Sequence, residues 1–198
     1  MSESRPYVSS DDDRSSGCVQ VSLPELLGEF YSDPAATSKL AEFEATERVP
    51  FPYDKMLDHH GHMTETVEAY LGQPVDVTVH RCRLSDGHGS HRWYSREITL
   101  SGQHSGRVVQ YGIVRLDIQA LAPEVWRRIE SQQIPLGRVL IEHNVLREVQ
   151  LCGLWKLTVG PKLGELLHVR VGGTIYGRTA LIYCDGEPAI ELLEVVSP

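Results

Sequence analysis

From Val75 to His80 the chain alternates strictly, with Val75, Val77 and Val79 set against Asp76, Thr78 and His80. A period of two predicts a half-buried strand. Just upstream the period is different. Met63, Val67 and Leu71 recur at helical spacing, Thr64, Glu65 and Glu68 fall between them, and Gly72 comes next. That pattern predicts a short amphipathic helix stopped by glycine. Nearer the start, Ser22 and Glu25 form an S-x-x-E capping box with Pro24 in the first turn. They predict a helix from Leu23 to about Tyr31. The prolines of Val49-Pro50-Phe51-Pro52-Tyr53 favour an extended entry into the main domain.

Strands are predicted over Trp93 to Leu100 and Val108 to Ile118, with a helix from Pro123 through Ile129. Another element opens at Pro135-Leu136-Gly137, and Val145 to Val159 reads as a long strand interrupted near Gly153. Ile175 to Cys184 and Pro188 to Val196 flank Asp185-Gly186, a dipeptide suited to a type I′ hairpin. Strands dominate and the helices are few and separate. The expected class is therefore α+β, a single mainly antiparallel sheet with flanking helices.

A length of 198 residues suits one domain with a sizeable core. Residues 1–20, which contain the run Asp11-Asp12-Asp13, are expected to form a disordered acidic tail. Residues 21–52 are expected as an N-terminal helical extension and 53–198 as the main domain. Ser85 to Ser90 carries two glycines and reads as an exposed loop. The net charge of −8 argues against nucleic acid as a partner, because phosphate contacts need a basic surface. It leaves room for a local basic pocket. No apolar run approaches a membrane span, and Met1 to Arg14 is unlike a signal peptide. Cys18, Cys82, Cys152 and Cys184 include no C-x-x-C pair, so free thiols in a reducing cytoplasm are expected.

Alternation also places charges. On Trp93 to Leu100 one face holds Tyr94, Arg96, Ile98 and Leu100, the other Trp93, Ser95, Glu97 and Thr99. The first is the more apolar, so Arg96 is expected to point inward. By the same argument Glu194 shares an apolar face with Ile190, Leu192 and Val196, and Arg178 one with Tyr176, Ala180 and Ile182. Buried charges are costly unless paired. Either Arg96 or Arg178 closes an internal ion pair with Glu194, or these groups serve a ligand. A guanidinium offers a bidentate fork to a carboxylate, and a desolvated Glu can hold a hydroxyl or move a proton.

Five ordered segments resemble the chorismate lyase family: Met63-Thr64 opening a helix, Trp93 to Leu100, Pro135-Leu136-Gly137-Arg138-Val139-Leu140, Tyr176-Gly177-Arg178, and Glu194-Val195-Val196-Ser197-Pro198. The resemblance covers roughly Tyr53 to Pro198. It implies one antiparallel sheet with packed helices and a small internal cavity under helical flaps. It implies release of pyruvate from chorismate to leave 4-hydroxybenzoate, without metal or organic cofactor. Carried over by residue, Arg96 grips the ring carboxylate, Glu194 sits near the ring hydroxyl, and Met63 and Leu136 cover the ring. Orientation and placed charge in a dry cavity supply much of such a reaction. Where family members often have a Gly-Arg pair in the middle strand, this chain has Gly112-Ile113-Val114-Arg115. Arg115 is thus a candidate for a second carboxylate, and Arg178 lies ahead of the final hairpin.

Asp58-His59-His60-Gly61-His62 precedes Met63. Three histidines and an aspartate could hold a metal, but the spacing is not helical and Gly61 suggests a loop. No metal is expected. His62, next to Met63, is kept as a pocket residue. The partner expected is thus a small anionic cyclic or aromatic carboxylate. The alternative to turnover is non-catalytic binding or sensing of an aromatic acid. A related fold serves as the effector domain of some transcription regulators, behind a basic winged-helix domain. Residues 1–50 are short and acidic for one, so a DNA-binding regulator is not expected.

Overall fold

The computed structural model describes residues 21–86, 92–145 and 147–198. The tail expected over 1–20 and most of the loop expected at Ser85 to Ser90 lie outside them.

Local signals set most elements. Ser22 caps helix α1 (Leu23–Gly28) by accepting from the Glu25 N–H at 3.4 Å. The reciprocal half of the capping box does not form, because Glu25 turns its carboxylate to Arg115. Asp33 caps α2 (Pro34–Leu40) with Pro34 at its start, a signal as plain as the first. Strand β1 (Ala41–Thr46) continues directly from it. Residues 21–52, expected as helical, therefore also supply a strand. Short helix α3 (Tyr53–Leu57) leads into α4 (Met63–Leu71), which ends on Gly72 at a φ of 64°.

Strands β2 (Val75–Asp86), β3 (Arg92–Gly102) and β4 (Val108–Asp117) form a meander. Helices α5 (Pro123–Glu130) and α6 (Leu136–Glu142) come next. Then come β5 (Arg147–Val159), α7 (Pro161–Leu167), β6 (Thr174–Cys184) and β7 (Glu187–Val196). Asp185 and Gly186 join the last two with φ of 53° and 89°, the left-handed pair that a type I′ turn requires.

The seven strands make one sheet in the order β1-β5-β6-β7-β4-β3-β2, and every pairing is antiparallel. The fold is α+β with flanking helices, and both sheet faces are covered. Leu26, Leu27, Tyr31, Leu40, Leu163 and Leu167 of the α1, α2 and α7 region pack on Tyr111, Ile113, Leu193 and Val195. Helices α3 to α6 cover the opposite face, in clusters around Val114, Leu192 and Ile190 and around Ile98, Leu100 and Val196.

Register shifts interrupt four of the strand pairings. The β2–β3 register shifts between Val79 and Arg81, so Arg81 comes to lie opposite Glu97 and Cys82 opposite Arg96. The β5–β6 register shifts between Leu151 and Gly153, at the glycine where periodicity predicts a break.

Candidate functional site

The register lays three rows across the α3–α6 face of the sheet. Arg96, Val114, Leu192 and Ala180 form one row. Ile98, Gly112, Glu194 and Arg178 form the next, and Leu100, Gln110, Val196 and Tyr176 the third. These rows are the floor of an internal cavity. Its roof is the start of α4, through Gly61, His62, Met63 and Thr64, and the start of α6, through Pro135, Leu136 and Gly137.

The two roof helices meet closely. A Cβ on Gly137 would stand 2.7 Å from Thr64 Oγ1, so glycine is what allows the approach. Arg138 on α6 closes an ion pair with Glu68 on α4, and Glu68 also accepts from the Val75 N–H at 3.0 Å. Beyond the roof, Gly61, His62 and Val149 border both the cavity and an open outer groove that also carries His60, Glu65, Asn144 and Glu148. The cavity itself is narrow, about 40 Å³ on a scale where one water needs about 10–15 Å³. It accommodates a few waters as it stands, and a ring requires the roof to give.

Met63, Arg96, Leu136, Arg178, His62 and Glu194 all line this cavity. Arg115 does not. It lies across the sheet, bonded to Glu191 at 2.8 Å and Glu25 at 3.0 Å, with Glu29 at 3.7 Å. The reason is parity. Arg115 alternates with Val114, whose side faces the cavity, so the candidate second-carboxylate arginine is corrected to an ion pair holding α1 on the opposite face.

The two cavity arginines differ sharply. Arg178 is saturated: its Nε donates to Glu194 Oε2 at 2.7 Å. Its Nη1 donates to His59 O at 2.7 Å, and its Nη2 to Gly61 O at 3.2 Å. It thus clamps the histidine segment onto the sheet. Arg96 is 1% exposed, yet its Nε and Nη1 have no hydrogen-bond partner. Burial pushes its guanidinium below the usual arginine range, and only the Tyr94 hydroxyl opposes that shift. A buried cation without a counter-ion is costly. Of the two pairings that alternation allows, Arg178 takes Glu194 and Arg96 is left to the cavity.

Among the described residues no group of three or more His, Cys, Asp or Glu is placed to hold a metal. His59 accepts from the Gly61 N–H through Nδ1 at 3.0 Å and contacts Met56 O through Nε2 at 2.8 Å. Burial first, and then Arg178, lower its pKa, which favours the neutral ring. His60 Nδ1 lies 3.2 Å from Val149 O. These two rings shape the segment that Arg178 holds.

A second buried charge sits on the side of β3 that alternation marks as more polar. Glu97, 1% exposed, accepts from Tyr111 at 2.8 Å and from Arg81 Nε at 2.7 Å, and Tyr31 donates to it in a short bond. Desolvation raises its pKa, but Arg81, Tyr31 and Tyr111 together bring it below the usual carboxylate range. Strand periodicity could not find this cluster, because Tyr31 arrives from the α1 region and Arg81 through a bulge.

No family model matches the chain, and no curated protein matches it in sequence. Solved structures do match in shape. The effector domain of PhnF from Mycobacterium smegmatis superposes with a TM-score of 0.53 at 12% identity, over 69% of this chain and 88% of that one. The longer PhnF chain gives 0.52 at 11% identity, over 69% and 63%. The possible transcriptional regulator YydK from Bacillus subtilis gives 0.46 at 10% identity, over 62% and 57%. These likenesses are of fold alone. The present chain spans 57% of YydK and 63% of full PhnF. Among the described residues no helix is long and apolar enough to cross a membrane.

Proposed function

We propose that the chain binds a small anionic cyclic or aromatic carboxylate in this cavity and works as a ligand-binding or sensor domain. The observation that carries the reading is Arg96, buried, facing the cavity and unpartnered at Nε and Nη1. Those two N–H donors lie on different edges of the guanidinium, and each is an unmet charged donor that a carboxylate oxygen can satisfy. The start of α4, which has no side-chain cap, adds the favourable end of a helix dipole at the roof. Met63 and Leu136 supply apolar cover for a ring. Calorimetric titration with benzoate and 4-hydroxybenzoate tests the reading. Arg96→Met should lose roughly 10- to 150-fold in affinity, the worth of a charge-assisted bond of about 1.5–3 kcal/mol. Unchanged affinity in that variant rejects the site.

A second reading, elimination of pyruvate from chorismate, draws on Met63, Arg96, Leu136 and Glu194 lining one cavity. It needs a cation for a second carboxylate and a Glu194 free to serve the ring hydroxyl. Arg178 occupies Glu194 and is itself occupied, which is why binding without turnover is preferred. Incubation with chorismate separates the two. Equal amounts of pyruvate and 4-hydroxybenzoate, lost in Arg96→Met, establish the lyase. Tight acid binding with no pyruvate leaves the sensor.

A further inference from the structure

The cavity holds a second orphaned polar group. Gln110 is 3% exposed, lines the cavity, and its Oε1 has no hydrogen-bond partner. It sits in the third row among Val77, Leu100 and Val196, where an apolar residue would pack without penalty. Ser95 Oγ is orphaned too, but on the opposite side of β3 and away from the cavity. Orphaning alone is therefore not a ligand signal. Orphaning inside an empty cavity is.

Placement adds the second half. Arg96 lies opposite Val114, and Gln110 is four residues back along β4. At about 3.4 Å per residue the two stand roughly 14 Å apart along the strand direction, and both line the cavity. Ile98, opposite Gly112, lines that interval.

We infer that Gln110 reads a hydrogen-bonding substituent, a hydroxyl above all, at the end of the ligand opposite its carboxylate. The inference rests on the anion reading of Arg96 and refines the ligand class to para-substituted cyclic acids. Glu194 does not take this role, because Arg178 already occupies it. The amide suits a hydroxyl, since it offers both an acceptor and donors while a hydroxyl can give and receive. A methyl in the same place leaves the buried amide unpaired.

The test compares 4-hydroxybenzoate with 4-methylbenzoate, which have the same charge and nearly the same size, together with benzoate. The wild-type protein should prefer the hydroxyl acid by about tenfold or more. In Gln110→Leu that ratio should collapse to about one or invert, while benzoate still binds. Gln110→Met, of similar length, repeats the measurement if Gln110→Leu does not give a cooperative thermal transition. No hydroxyl preference in the wild type, or a preference that survives both variants, overturns the inference and leaves the Arg96 site standing. If no aromatic acid binds the wild type, the anion site falls and the inference falls with it.

Discussion

Arg96 and Glu97 are consecutive residues on β3, point to opposite faces of the sheet, and are each 1% exposed. Their surroundings could hardly differ more. Glu97 is surrounded by donors: two tyrosine hydroxyls and a guanidinium that also lies over the rings of Phe30 and Tyr31. Arg96 has apolar neighbours, one tyrosine and a cavity. Burial of charge is thus not by itself a mark of function. A satisfied buried charge holds the structure together, here by fastening the α1 segment to the sheet. An unsatisfied one that faces a cavity is a candidate for a ligand contact.

The sharpest way to break the comparison lies in the row beside Arg96. Arg178→Met should destabilise the protein by about 3–5 kcal/mol, because Glu194 would be left buried without its partner. Denaturant unfolding measures the loss. Faster amide exchange at residues 57–61 would show that the clamp on the histidine segment has been released.

Next in size is the pair on β3 itself. Glu97→Gln should cost about 2–3 kcal/mol, since it weakens three charge-assisted bonds, one of them to a partly exposed Arg81. Arg96→Met, at an equally buried position, should leave unfolding of the free protein unchanged or stabilise it by up to about 2 kcal/mol. Equal destabilisation by both substitutions would erase the distinction between a structural and a waiting charge.

The smallest expected effect concerns pH. The folded-state pKa of His59 lies below 6.5, so the unfolded chain binds the extra proton first as pH falls. Its contribution is fully present above about pH 6.5 and declines as pH drops toward the folded value. His59→Gln should flatten that part of the stability profile. Glu97 acts in the same direction, but in a lower window, below the ordinary carboxylate value of 4.5. A His59→Gln profile identical to wild type between about pH 5 and 6.5 would show that Arg178 and burial do not perturb the ring.

Much of the fold is legible along the chain. The hairpin at Asp185-Gly186, the helix from Met63 to Leu71 and the inward side of Trp93 to Leu100 come from turn chemistry and periodicity. Asp33-Pro34 and Gly160-Pro161 carry start signals for α2 and α7 that are as local as the cap at Ser22, although α2 is expected only as part of a helical extension over 21–52 and α7 is not among the expected elements. The place of Arg115 is not legible, because only the pairing of Val114 with Arg96 shows that the alternating Arg115 lies across the sheet.

By itself, the sequence determined periods, caps and turns, because those depend on residues within a few positions of one another. That was enough for an antiparallel α+β sheet with Arg96, Arg178 and Glu194 turned to one side. Only the tertiary structure decided which arginine met Glu194: the hairpin puts β6 beside β7, but the register shift between Ile182 and Tyr183 is what sets Arg178 opposite Glu194, and β3 stands two strands away. It also decided, through a bulge at His80, that Arg81 would reach Glu97 rather than share a face with Val79. And it left Nε and Nη1 of Arg96 and Oε1 of Gln110 without partners, because whether a buried group is satisfied depends on everything packed around it, from segments far apart in the chain.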